Sequence, residues 1–159
     1  MAPTVRDSIA AGAVAGLAGG VAYLVAMEAD LAITRNDADD LQLLGGVFTR
    51  DRRRARQIGL GLHATNSVIA GVAYGLVGSR LLPGPGWLRG VAFASVENAV
   101  LYPLALLEDH HPAIREGRLA RYWTWTAFAQ GVVRHLAFGA VTGAVFEEIR
   151  REQGGSATA

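Results

Sequence analysis

Five ionisable residues interrupt stretches that are otherwise apolar, and their side chains have the most chemical potential in this chain. They are Glu28, His63, Glu97, Arg134 and His135, joined by three amides, Asn66, Asn98 and Gln130. A charged group removed from water is unstable unless it pairs or forms hydrogen bonds. We therefore predict that these eight residues form one polar cluster inside a bundle.

The cluster allows three interpretations. In the structural one, Arg134 pairs with Glu97 and Glu28 pairs with His63, which fixes the register of the helices. In the second, it is a polar path for protons or a small solute, because Glu and His chains relay protons in transporters. The third is a di-metal site, but the Glu-x-x-His spacing of such bundles is absent and an arginine would oppose a cation. We predict no metal ligand and no catalytic residue, and the sequence identifies no cofactor.

Four helices must position these side chains, over residues of about 8–33, 57–80, 87–107 and 121–148. Each is close to the roughly 20 apolar residues that cross a bilayer core. No charge falls between Asp7 and Glu28, whereas a soluble helix would show charges every three or four residues. Half of the chain, 51%, is hydrophobic and only 18% is charged. We predict one all-α domain over 1–159, a polytopic four-helix transmembrane bundle.

A weak internal repeat suggests that the bundle consists of two duplicated hairpins. His63 is followed by Gly71 and Tyr74, and His135 at the same spacing by Gly143 and Phe146. Such repeats often build a site between their halves.

Glycines recur at four-residue spacing on three of the predicted helices. They are Gly12, Gly16, Gly20, Gly71, Gly75, Gly139 and Gly143. Small residues at this spacing let helix backbones approach closely in membranes. The contacts could lie within one chain or between chains, so a homo-oligomer or a larger membrane complex remains open.

The loops carry most of the remaining charge. In loop 34–56, Asn36 or Asp37 could cap a short interfacial helix whose leucines face lipid. The loop ends in arginines that would attract anionic lipid headgroups: Arg50, Arg52, Arg53, Arg54 and Arg56. The Glu108–His111 segment lacks a recognised ligand spacing, so we interpret it as a solvated loop. Pro103 should kink the third helix.

The charge distribution also bears on location. Loops 34–56 and 108–121 hold more arginines than the opposite side, which predicts that these loops are cytoplasmic and both termini outside. The location would be the bacterial inner membrane. The net charge of +1 does not suggest nucleic acid as a partner, and the absence of Cys excludes thiolate chemistry.

The glycine-striped first helix, the Gly61-Leu62-His63 segment and the His135–Gly139 segment resemble those of small uncharacterised four-helix bacterial inner-membrane proteins. That resemblance implies no known activity. We expect a small integral membrane protein without enzymatic activity, packed as a bundle around its polar cluster and belonging to a larger assembly. The alternative is a proton or solute conduit or carrier that uses the cluster, and a third is a membrane enzyme or metalloprotein.

Overall fold

The computed structural model describes residues 4–155, where every regular element is helical and no β-strand occurs. The prediction of an all-α protein is confirmed for these residues. The elements are α1 (Val5–Thr34), α2 (Asp40–Gly45), α3 (Arg52–Ala73), a π-helical segment (Tyr74–Gly78), α4 (Ser79–Leu81), α5 (Gly86–Leu101), a 3₁₀ segment (Tyr102–His110), α6 (Pro112–Arg115) and α7 (Trp125–Gly155). The ends of the predicted domain, 1–3 and 156–159, lie outside the described residues.

Local residues explain where the long helices begin and end. Thr4 and Asp7 form a capping box at the start of α1, and the chain leaves α1 through Arg35 in the left-handed region at φ 52°. The Asp51 side chain caps α3 by accepting from the Arg54 N–H at 2.7 Å. Pro85 precedes α5, because an α-helix interior cannot accommodate its missing N–H.

The third long helix changes character where the sequence predicts a kink. Its α-helical part ends at Leu101, and the chain continues as the 3₁₀ segment from Tyr102, one residue before Pro103. Proline lacks an N–H for the α-helical ladder and its ring crowds the preceding turn. The tighter segment carries the chain toward α6.

Glycine contacts hold the long helices together at one end. A Cβ built on Gly12 would lie 2.6 Å from the Gly71 carbonyl oxygen, so α1 and α3 touch through their backbones. A Cβ on Gly143 would likewise lie 3.0 Å from the Gly90 nitrogen, which places α5 against α7. The predicted glycines thus all lie at contacts within one chain. They are Gly12, Gly16, Gly20, Gly71, Gly75, Gly139 and Gly143.

Three helical stretches are long and apolar enough to cross a membrane. They are Val5–Thr34, Arg52–Leu81 and Gly86–His110. Their outward residues are large and apolar, for example Val21 and Val25 of α1, both more than half exposed. The fourth predicted span corresponds to α7, which has the length but does not reach the same hydropathy.

The first loop folds differently from its predicted form. A short helix, α2, does form, but Asp39 caps it rather than Asn36 or Asp37, accepting from the Leu41 and Gln42 N–H groups at 3.1 Å. The expectation that its leucines face lipid is wrong for Leu41, which is buried against α3, where Gly59 leaves room for the Leu41 backbone. Leu41 therefore packs against α3 at Gly59 instead of facing lipid.

Candidate functional site

Arg134 is the centre of the polar end of the bundle. Its side chain is almost fully buried, and its Nε and Nη2 donate to the two carboxylate oxygens of Asp30, both at 2.6 Å. Its Nη1 donates to Asp40 Oδ2 at 2.6 Å and to the Ala38 carbonyl at 2.9 Å. A guanidinium has five N–H donors in a fixed fork, and four of these bonds are made here. The arginine thereby ties α7 to α1 and α2.

This pairing differs from the expected one. Arg134 was predicted to pair with Glu97, but the carboxylates around it come from Asp30 and Asp40. Asp30 lies on the last turns of α1, and Asp40 reaches the site because the first loop folds back as α2. Both carboxylates lie within hydrogen-bond reach of the fork, so Arg134 needs no further counter-charge.

Gln130 extends the network one turn along α7. Its Nε2 donates to Asp30 Oδ1 at 2.7 Å and to Thr34 Oγ1 at 3.1 Å. Its Oε1 accepts from the Asn36 amide at 3.1 Å. Gln130 therefore belongs with Arg134 in a network that fixes the end of α1 against α7.

Glu28 also has a different partner from the expected His63. It pairs with Arg56, whose Nη1 lies 2.5 Å from Asp39 Oδ2. Asp39 is fully buried, so Arg56 compensates the charge of the residue that caps α2. The ion pairs follow from the position of α2, which lies between the start of α3 and the end of α1.

The other predicted headgroup arginines lie on the exposed surface of the first loop and the start of α3. Arg50 reaches Glu116 at 2.9 Å, and Arg52 reaches Asp37 at 3.2 Å. Two more are exposed and form no side-chain ion pair within residues 4–155: Arg53 and Arg54. Their interaction with lipid headgroups stays a prediction.

The aromatic ring of Tyr23 contacts two imidazole rings beside the Arg134 network. The Tyr23 ring centroid lies 5.0 Å from that of His63 and 5.3 Å from that of His135. The Tyr23 hydroxyl donates to Asp40 Oδ2 at 2.7 Å. Tyr23 thus joins the ionic network to both histidines, and the sequence pattern did not single it out.

The hydrogen bonds of the two histidines define their tautomers. His63 Nε2 lies 3.1 Å from the Gly20 carbonyl, and His135 Nδ1 lies 2.8 Å from the Gly131 carbonyl. A carbonyl oxygen only accepts, so each of these nitrogens carries the proton. In the neutral rings, His63 Nδ1 and His135 Nε2 are therefore lone-pair acceptors.

A cleft of about 580 Å³ lies between α3 and α5, over Tyr23 and α7. Pockets for small ligands commonly range from about 300 to 1,000 Å³. α3 and α5 pack mainly against α1 and α7 rather than against each other, which leaves space between them for the cleft. Six of the eight predicted cluster residues line it, namely His63, Asn66, Glu97, Asn98, Arg134 and His135.

The lining of the cleft combines polar and apolar side chains. The histidines, amides and Glu97 lie on it together with Leu43, Leu101, Leu104 and the buried Phe138. Glu97 is half-buried, forms no ion pair and no hydrogen bond with another described residue, and interacts electrostatically with His135. The cleft therefore combines an apolar lining with a carboxylate that no described residue pairs.

The acidic and histidine-rich segment closes one end of the cleft. Glu108 accepts from Arg121 Nε at 2.8 Å and from the Tyr122 N–H at 2.5 Å. His111 Nε2 donates to the Leu43 carbonyl at 2.9 Å, which joins this segment to α2. The interpretation as a solvated loop is wrong for Glu108, which is buried and belongs to the 3₁₀ segment. These side chains instead fix the segment to its neighbours, and within the described range no group of three metal-ligating residues occurs.

Tyr122 lies at the same end, and its buried hydroxyl has no hydrogen-bond partner in the part of the chain that the structure describes. Burial, with the nearby Asp40 carboxylate, raises the pKa of Tyr122 well above its usual value. The phenol therefore stays protonated and neutral at physiological pH.

Comparison with known proteins adds a family. Residues 6–156 match the family of unknown function DUF6789. The chain belongs to this family. No curated protein and no solved structure matches the chain. Function must therefore be argued from the cleft itself.

Proposed function

We propose that this DUF6789 protein is an integral membrane protein whose four long helices cross the bilayer and whose cleft binds a small amphipathic molecule. The observation that carries the proposal is the cleft between α3 and α5, whose lining has both polar and apolar side chains. A molecule with a polar head and an apolar tail would match both kinds of side chain.

The fourth crossing is part of this proposal. α7 has 31 residues and packs between α1 and α5, so a bilayer around the other spans would also enclose it. Its charged Arg134 is neutralised inside the bundle by Asp30 and Asp40. Intramembrane charges are usually satisfied in this way.

The cleft favours a bound ligand over an open channel. Beyond it, the bundle is filled by Tyr74, which is fully buried and packs edge-on against Phe93 and Phe146 at 5.7 and 5.5 Å. This plug lies at the end where glycines bring the helices together. The alternative that the sequence left open was a conduit or carrier, and of these two a carrier fits the cleft better.

The polar cluster then divides into two parts. Arg134 and Gln130 are structural, because their bonds join α7 to α1 and α2. Residues with uncommitted polar atoms would contact the ligand: His63, Asn66, Glu97, Asn98 and His135.

Photolabelling would test the proposal. An octanol that carries a diazirine is photolysed in membranes that contain the protein, and labelled peptides are identified by mass spectrometry. We expect labelling at Leu101, Leu104 and Phe138, which line the cleft. Gly131→Phe should reduce it, because Gly131 lines the cleft and a Cβ there would meet only Asn98 Oδ1, at 3.3 Å.

Gly61→Phe is the matched control, since a Cβ at Gly61 meets nothing within 4 Å and Gly61 does not line the cleft. The proposal would be contradicted if the label were spread uniformly over the outer face, for example at Val14 and Val21, and if Gly131→Phe did not change the labelling.

A further inference from the structure

The charged side chains that line the cleft are paired, with one exception. Arg134 is satisfied by Asp30 and Asp40, and Glu108 is paired with Arg121. Among the cleft-lining carboxylates, Glu97 is the one that has neither an ion pair nor a hydrogen bond with another residue in the range 4–155. A carboxylate that is partly removed from water is stabilised by a cationic partner. Glu97 therefore offers a place for a cationic group of a ligand.

The net charge of the side chains around the cleft also favours a cationic ligand. Arg134 contributes one positive charge against the two negative charges of Asp30 and Asp40. Glu97 adds a further negative charge, so these four side chains carry three negative charges against one positive charge. This excess of negative charge would repel an anionic head.

The hydrogen-bonding groups that line the cleft restrict the chemical class of the ligand further. The protons of Tyr23 and of both imidazoles are already donated, to Asp40 and to backbone carbonyls. In the neutral rings, His63 Nδ1 and His135 Nε2 remain as acceptors, and both residues line the cleft with Glu97. The amides of Asn66 and Asn98 can donate or accept, and so can the Tyr122 hydroxyl, which has no hydrogen-bond partner among the described residues. An ammonium group brings three donors and no acceptor, which suits this set.

We propose that the ligand is a cationic amphiphile, a primary amine on an apolar chain, with its ammonium group bound by Glu97 and the two imidazoles. This inference rests on the proposed amphiphile-binding function and adds its chemical class. The apolar chain would lie along Leu101, Leu104 and Phe138.

A set of four octyl compounds separates charge from hydrogen bonding. Octylammonium, octyltrimethylammonium, octanol and octyl sulfate are titrated calorimetrically into the protein in phosphatidylcholine nanodiscs, and empty nanodiscs correct for partition into lipid. We expect octylammonium to bind at least about tenfold more tightly than octanol, as one charge-assisted hydrogen bond suffices for this factor. Octyl sulfate should bind most weakly.

Octyltrimethylammonium carries the charge without N–H donors and should fall between octylammonium and octanol. If it bound as tightly as octylammonium, the role of the imidazole acceptors would be refuted. Equal binding of octylammonium and octanol, or tightest binding of octyl sulfate, would overturn the cationic class and leave the amphiphile site intact. Binding of none of the four would refute the amphiphile site as well.

Glu97→Gln should remove the preference for octylammonium over octanol, and circular dichroism of the variant reports whether it is folded. Glu148→Gln is the matched control, because Glu148 lies exposed on α7, away from the cleft. An unchanged preference in Glu97→Gln would contradict the assignment of Glu97. The selectivity of the unmodified protein tests the charge class even if this variant does not fold.

Discussion

The two ends of the bundle are stabilised in opposite ways. At the glycine end, near Gly12, Gly71, Gly90 and Gly143, helix backbones touch and side chains are absent from the contact. At the polar end, Arg134 and its carboxylates join α7 to α1 and α2 through their side chains. The glycine end depends on the absence of side chains at the helix contacts, and the polar end depends on ion pairs.

This difference explains why the cleft lies where it does. α5 contacts the π-helical segment Tyr74–Gly78 at the glycine end, where Gly78 lies against Phe93. Toward the polar end, α3 and α5 diverge, and the space between them is the cleft. Close backbone packing at one end thus leaves room at the other, and ionic contacts close only its inner wall.

The largest effect should come from removing the central charge of the polar end. Arg134→Met leaves Asp30 and Asp40 unpaired in the interior, so the free energy of unfolding should fall by about 3–5 kcal/mol, the usual range for half of a buried pair. Titration with SDS from detergent micelles, followed by circular dichroism, would measure it.

Two further variants sharpen this prediction. Arg151→Ala, on the same helix but largely exposed, should change the free energy of unfolding by less than about 0.5 kcal/mol. Adding Asp30→Asn and Asp40→Asn to Arg134→Met should restore part of the loss, because the unpaired charges are removed. If Arg134→Met were as stable as the unmodified protein, the polar end would not depend on charge.

The glycine end should respond next most strongly. Gly71→Ala places a Cβ against the Gly12 carbonyl and 2.5 Å from the Gly16 Cα, so α1 and α3 must separate. Overpacking of this kind costs about 1–3 kcal/mol. The same unfolding titration would measure the change.

Gly61→Ala is the control on the same helix, because a Cβ there meets nothing within 4 Å. Alanine favours helix over glycine, so this variant should be neutral or more stable by up to about 1 kcal/mol. Equal losses in both variants would mean that glycine content, rather than the α1–α3 contact, determines the effect.

A smaller effect should come from Arg56→Ala, which removes the charge partner of the buried Asp39. We expect a loss of about 1–2 kcal/mol, because water reaches Arg56, whose side chain is 32% exposed, and compensates part of the charge. Arg53→Ala, in the same basic run but exposed, should leave the melting temperature unchanged. Equal effects of both variants would argue against a specific role for the Asp39 contact.

The sequence indicates the glycine end better than the polar end. Four-residue glycine spacing is a local pattern, and a close helix contact needs only that pattern on one face of each helix. Gly12, Gly16 and Gly71 could therefore be selected from the sequence, although the sequence could not show whether their contacts lie within one chain. All-helical structure follows from the long apolar stretches in the same way.

The polar partners could not be predicted because they depend on how the first loop folds. Asp40 reaches Arg134 only after α2 turns back onto α3, and nothing local to Arg134 indicates this. Asp30 lies at the edge of the apolar stretch, where a carboxylate is equally compatible with solvent. The one available signal was its spacing from Tyr23, seven residues or about two turns, which places both on the same face of α1.

The smallest effect should come from the surface contact that joins the first and third loops above the cleft. Hydrogen bonds from Arg50 and Arg118 lower the pKa of Glu116 below its usual value. A carboxyl group whose pKa is lower in the folded state adds stability above its unfolded pKa and loses it as the pH falls through the folded pKa. Glu116→Gln should therefore lower the melting temperature slightly at neutral pH and make no difference in acid.

Melting curves of both proteins at neutral and acidic pH would measure this difference, with Glu148→Gln as an exposed control on α7. The contact is open to solvent, so salt should weaken it at neutral pH. A Glu116→Gln effect that persisted in acid could not arise from the charge of this carboxylate. The effect of the variant would then reflect packing of the loops. Stabilisation by charge at the polar end would be limited to the ion pairs of Arg134 and Arg56.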